Sequence, residues 1–115
     1  MPLDAKPLPV YRPGQFLTFK LFIVDPLSNV PKTIVRCYSL SDASRPDYYR
    51  ISVKRVLAPA GKPDLPPGLS SAFFHDQLQV GSQILVKAPS GHFHLMNNER
   101  LPIVLIGGGI GVTPI

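Results

Sequence analysis

An all-β domain with a single short helix is the fold class that this sequence predicts, on three observations. Fourteen prolines among 115 residues leave little room for long helices, because proline removes a backbone donor and clashes with the preceding turn inside a helix. Several short stretches are instead rich in β-branched and aromatic residues and bounded by turn chemistry, the pattern of strands on a half-buried pleated surface. Only one stretch, Leu69–Leu78, spaces its large apolar residues at helical intervals. The C-terminal end differs in kind: a continuous apolar run, Ile103–Ile106, leads into a glycine cluster, as a buried parallel strand enters a phosphate-facing turn. We therefore expect a boundary near Arg100, with residues 1–100 forming one domain. Residues 101–115 are expected to be only the first strand and turn of a second domain.

Taken in order, Met1–Gly14 is proline-rich without periodicity and reads as a loop entering a strand. Phe16–Ile23 (FLTFKLFI) is that strand, with Thr18 and Lys20 giving it one partly polar face. Asp25–Lys32 (DPLSNVPK) has turn chemistry throughout and predicts a hairpin connection. Ile34–Leu40 is the second strand and Asp42–Asp47 a turn. Tyr48–Leu57 is the third strand, with Ile51, Val53 and Arg55 on one face and Arg50, Ser52 and Lys54 on the other. Ala58–Pro67 carries four prolines and a glycine and is a loop. In the helix that follows, Leu69, Phe73, Phe74 and Leu78 share one face, Ser70 or Ser71 is expected to cap the start, and Gly81 to close it. Gln83–Ala88 and His92–Met96 are the fourth and fifth strands, and Asn97–Arg100 is a polar hinge.

Composition narrows the function. The hydrophobic share of 44% and charged share of 17% belong to an ordinary soluble globular protein. No apolar run is long enough for a membrane span and no export signal opens the chain. The single cysteine excludes an internal disulfide and any thiolate metal or iron-sulfur site within these residues; a cytoplasmic setting is expected. The net charge of +5 favours an anionic partner. The basic residues never form a run, however, so a nucleic-acid arm is not indicated.

Three clusters have chemistry to offer. On a strand, Arg36 and Tyr38 share a face, pairing a rigid fork of donors with a flat amphipathic ring as an anionic, aromatic ligand requires. An exposed arginine beside a core tyrosine fits the same spacing. Gly68, Ser70 and Ser71 at the start of the helix suggest an anion cradle, or simply a cap. Gly107–Pro114 (GGGIGVTP) follows an apolar strand but departs from the GxGxxG spacing. His75, His92 and His94 make no metal set, and the acidic residues lie mostly in turns without pairing for acid-base work. Cys37, mid-strand, reads as a small buried residue.

In this order and spacing, the segments YRPGQFLTF (Tyr11–Phe19), RCYSLSD (Arg36–Asp42), YYRISVKR (Tyr48–Arg55), PPGLSSAFFHDQLQVG (Pro66–Gly81), APSGHF (Ala88–Phe93) and GGGIGVTP resemble the ferredoxin-NADP reductase superfamily of flavoproteins, most closely the reductase part of flavohaemoglobins. The resemblance implies a six-stranded antiparallel Greek-key barrel that carries FAD at its edge, followed by a nicotinamide-binding α/β domain. It implies that Arg36 contacts the FAD pyrophosphate, that Tyr38 packs against the isoalloxazine and ribityl region, and that Ser39 hydrogen-bonds near flavin N5. It places the Val53 backbone at the pyrimidine edge, Lys54 near the phosphates, and Gly68, Ser70 and Ser71 on the pyrophosphate. Gly108, Gly109 and Thr113 then shape the site for NAD(P)H, the hydride donor, and electrons leave for a haem, an iron-sulfur centre or another acceptor.

The sequence also departs from that family. The chain opens on the loop after the family's first strand, so that strand is expected to be missing, leaving an exposed edge. The nicotinamide domain is expected to be too incomplete for efficient hydride transfer, so the 115-residue chain should show no steady NAD(P)H oxidation. His92 stands where the family carries an acid. Two other classes stay open: a cofactor-free barrel used as a docking or regulatory module, and a basic barrel that stacks single-stranded nucleic acid on Tyr48 and Tyr49.

Overall fold

The computed structural model describes residues 2, 4, 6–24, 29–62, 67–95 and 100–115. Its regular structure is mostly strand, with one short helix. Strand β1 (Phe16–Val24) is the middle of a three-stranded open antiparallel sheet, flanked by β2 (Pro31–Ser39) and β3 (Leu85–Ser90) in the order β2-β1-β3. β1 is central because its alternation is the cleanest in the chain. Leu17, Phe19, Leu21 and Ile23 are each no more than 3% exposed, while Lys20, Phe22 and Val24 face outward. Tyr11, Ile34 and Leu40 complete the buried apolar set. The expected turn residues 25–28 lie outside the described residues, as do 63–66 of the proline loop and Met96–Glu99 of the fifth strand and hinge; Asn29 beyond the first gap has a positive φ of 57°, which asparagine tolerates in turns.

The chain divides into two compact units that interleave along the sequence. One comprises residues 1–18, 37–52 and 87–115 and the other 19–36 and 53–86, so each strand passes from one unit into the other.

In the first unit the loop before β1 is tied to the residues after β2. The Tyr11 hydroxyl donates to the Asp42 carbonyl and the Tyr11 amide to Ser44 Oγ, at 3.2 Å for the latter. Tyr49 meets the Tyr11 ring edge-on at 5.4 Å and donates its hydroxyl to the Pro9 carbonyl. Asp42 also faces the guanidinium groups of Arg45 and Arg50 at 3.7 and 3.6 Å. Gly14 has φ of 105°, and a Cβ there would stand 1.8 Å from the Phe93 carbonyl oxygen, so only glycine fits. Gly91, at φ 121°, is pressed against the Phe16 ring in the same way.

In the second unit the helix begins at Gly68. α1 (Leu69–Ala72) winds directly into a π-helical turn, Phe73–Gln77, which ends when Leu78 becomes extended. Phe74 meets Phe19 edge-on at 5.4 Å and Phe73 at 5.9 Å. The helix therefore stops before Gly81, which instead sits with Val80 in the next turn. No serine caps it: Ser70 and Ser71 are buried, and the Ser71 hydroxyl donates to the Gly68 carbonyl and accepts from the Val56 amide.

Four sequence expectations are corrected here. The third strand reduces to one antiparallel bridge, Leu40 to Ile51, because the backbone of Val53–Val56 finds its partners on the helix and not on another strand. His92–Leu95 is a bend, with the His94 amide returning to the His92 carbonyl. Ile103–Ile106 has no hydrogen-bonded strand neighbour among the described residues, and its side chains are 46 to 88% exposed; a parallel strand needs flanking strands to pair with. Cys37 is exposed, because the alternation of β2 buries Ile34 alone among its described side chains. The fourth strand is present but begins two residues later than expected.

Candidate functional site

Within the second unit, the structure gathers one group of the expected site residues. The Gly68 amide donates to the Val56 carbonyl at 2.9 Å, and the Val56 amide to Ser71 Oγ at 3.0 Å, so the turn at Gly68 is laced onto the Val53–Val56 segment. A Cβ at Gly68 would meet Ser71 Oγ at 3.0 Å and Val56 Cβ at 3.1 Å. The glycine is thus required by this close approach, and the serine hydroxyls face the protein more than solvent. Val53 is partly buried and Lys54 exposed beside it. Arg36, in the same unit, is exposed, with Nη1 donating to the neighbouring Val35 carbonyl at 2.9 Å.

The first unit holds the other residues. Tyr38 and Ser39 are partly buried at the end of β2. Just beyond them the Ser41 amide donates to the Arg50 carbonyl at 2.9 Å and the Ser52 hydroxyl donates to Ser41 Oγ at 3.0 Å, a hydroxyl pair on the residues that follow Leu40 and Ile51 of the bridge. Gly109–Val112 forms a 3₁₀ turn. A Cβ at Gly108 or Gly109 would touch nothing within 4 Å, and Gly109 has φ of 56°. Thr113 is partly buried behind them.

Sequence reasoning missed several participants. His75, read only as a non-ligand, has Nε2 2.7 Å from the Val53 carbonyl oxygen. Asp76 receives a two-pronged ion pair from Arg55 at 2.7 and 3.0 Å, and that guanidinium holds its carboxyl below the usual carboxylate range. The signal was present in the adjacency of His75 and Asp76 on a helix. Their partners, however, lie more than twenty residues away. Among the described residues no group of three or more His, Cys, Asp or Glu stands ready for a metal, and no helix is long and apolar enough to cross a membrane.

This geometry can be set beside known proteins. The model of the family described as the oxidoreductase FAD-binding domain matches residues 8–95, and the chain belongs to that family. The flavohemoprotein of Halalkalibacterium halodurans is 43% identical over 114 residues, covering 99% of this chain and 26% of that protein. Flavohemoprotein B of Dictyostelium discoideum is 40% identical over 116 residues, covering 97% and 26%. Among solved structures, the flavohem-like FAD/NAD binding domain of nitric oxide dioxygenase from Vibrio cholerae superposes with a TM-score of 0.80 at 37% identity, covering 98% of this chain and 44% of that one. The chain spans about a quarter of the length of the curated relatives it matches.

FAD is therefore the cofactor of this family, and the residues present suit it. Exposed guanidinium and ammonium groups on Arg36 and Lys54 have the charge that its phosphates call for, and Tyr38 is a ring of the kind on which an aromatic system packs.

Proposed function

We propose that this chain is the flavin-holding part of an NAD(P)H-dependent reductase that delivers electrons to a haem, as the names of its flavohemoprotein relatives suggest. The observation that carries the proposal is the Arg36–Ser39 segment of β2. It presents an exposed guanidinium two residues before a partly buried phenol, inside a chain whose family binds FAD. In this reading the sheet is part of a six-stranded Greek-key barrel covering residues 1–100. Residues 101–115 begin the NAD(P)-binding domain, and the protein is cytoplasmic.

Each residue then has a task. Arg36 neutralises the pyrophosphate with a rigid fork of donors, and Lys54 adds a second positive charge. Tyr38 offers its ring as a wall for the isoalloxazine and ribityl region, excluding water from one side. Ser39 orients the ring by a hydrogen bond near N5, without acting as an acid. The Val53 main chain meets the pyrimidine edge, and the Gly68–Ser71 turn lies against the pyrophosphate. Gly108, Gly109 and Thr113 leave room for the nicotinamide beside it, since nothing of the chain occupies the space a side chain would take at either glycine. When bound, FAD supplies the conversion of a two-electron hydride donor into single electrons for the acceptor.

The test is a visible absorption titration of the chain with FAD, with Arg36→Ala and Tyr38→Ala beside it. We expect saturable, structured flavin absorbance, with each variant weakening binding about tenfold, as losing a charge-assisted hydrogen bond or a stacked ring entails. Unperturbed FAD spectra with the unsubstituted chain refute the reading and favour a cofactor-free docking module.

A further inference from the structure

The segment Val53–Val56 follows the Leu40–Ile51 bridge and alternates like a strand in sequence, yet it belongs to no strand. Its hydrogen bonds go to the helix instead, and they follow a register. The Gly68 amide and Ser71 hydroxyl, at the start of the helix, take the carbonyl and amide of Val56 at 2.9 and 3.0 Å. At the other end, two consecutive side chains take the remaining grips: His75 Nε2 stands 2.7 Å from the Val53 carbonyl, and Asp76 receives both Nη atoms of Arg55 at 3.0 and 2.7 Å. A carbonyl only accepts, so Nε2 must carry the proton in this contact. The helix thus does for this segment what a neighbouring strand does elsewhere. Lys54, exposed, lies between the two residues that His75 and Asp76 hold.

We propose that His75 and Asp76 are positioning residues for the cofactor. By fixing Val53 and Arg55 they present the intervening main chain and Lys54 to FAD in one conformation. The inference rests on the assignment of Val53 and Lys54 to the cofactor site. The physical reason is preorganisation: a segment without strand neighbours is otherwise ordered at the expense of binding free energy. The π winding of Phe73–Gln77 belongs to the same device, because it sets the azimuth at which His75 and Asp76 leave the helix.

Four variants of the full 115-residue chain test this: His75→Leu, His75→Gln, Asp76→Asn, and the charge swap Arg55→Asp with Asp76→Arg. Two readouts are taken, the FAD dissociation constant from the visible titration and hydrogen exchange of the amides of residues 53–57 without FAD. His75→Leu and Asp76→Asn should each speed exchange in that segment and weaken FAD about fivefold, the share of one hydrogen bond. His75→Gln, which keeps a donor at a similar reach, and the charge swap should recover most of both. The proposal fails if exchange rises while FAD affinity stays within twofold, because the grips would then serve stability alone. It fails equally if exchange does not change, or if His75→Gln behaves as His75→Leu. Absence of FAD binding by the unsubstituted chain removes the cofactor assignment itself, whatever the exchange data show of the grips.

Discussion

The Tyr11 hydroxyl donates to the Asp42 carbonyl, and its ring is closed by Tyr49. Tyr11→Phe keeps the ring and leaves that carbonyl without its donor, so chemical denaturation should show a loss of about 1–2 kcal/mol. Burial, as the first cause, raises the proton affinity of both Tyr11 and Tyr49 in the folded chain. The sign follows: their contribution is intact below about pH 10 and lost as the pH climbs through the raised folded values. Thermal unfolding between pH 9 and 12 should therefore decline less steeply in Tyr11→Phe than in the parent. Gly14 is a second position where one atom decides. A methyl group there would overlap the Phe93 carbonyl at an unfavourable φ, so Gly14→Ala should lose about 2 kcal/mol or more by the same measurement. Of the candidate site residues, the placement of Arg36, Tyr38 and Ser39 on one strand was legible. The exposure of Cys37 was not, because alternation states which residues share a face but not which face is covered. An aromatic disulfide reagent should accordingly label Cys37 in the folded chain without denaturant.

Among the elements, β1 was readable because four large apolar residues recur with period two and the intervening ones include Thr18 and Lys20. Leu21, the most buried of them at 1% exposure, should lose about 2–5 kcal/mol as Leu21→Ala, read as a fall in the denaturation midpoint at unchanged slope. Tyr48–Leu57 carries the same kind of signal but forms only one bridge. Local pattern states that a segment is extended; which hydrogen-bonding groups lie beside it is settled by segments far away in sequence, here the helix. The helix itself was legible from its aromatic spacing, whereas its buried serines and π turn were not. Its salt bridge carries a pH signature. Arg55 lowers the Asp76 pKa, so the pair's contribution is present above about pH 4 and is lost as pH falls through the depressed folded value. The difference in melting temperature between the parent and Asp76→Asn should shrink on acidification below that point.

The family membership and the sheet together say how the whole chain should respond to its cofactor. A ligand that binds only the folded state stabilises it by about 2.7 kcal/mol at one hundred times its dissociation constant. Melting temperature should thus rise with FAD concentration, and the Arg36→Ala chain should require more FAD for the same rise. Composition and the period of β1 were enough to specify a strand-rich chain, because they depend on residue type and near neighbours, and the order of the motifs carried the resemblance to a flavin-binding family. Pairing depended on three-dimensional proximity: β1 became the centre of its sheet, Ile103–Ile106 acquired no strand neighbour among the described residues, and Val53–Val56 was handed to His75, Asp76 and Ser71. Hydrogen-bond partners are chosen by distance in space, and the chain's linear order holds that information only through the fold it produces.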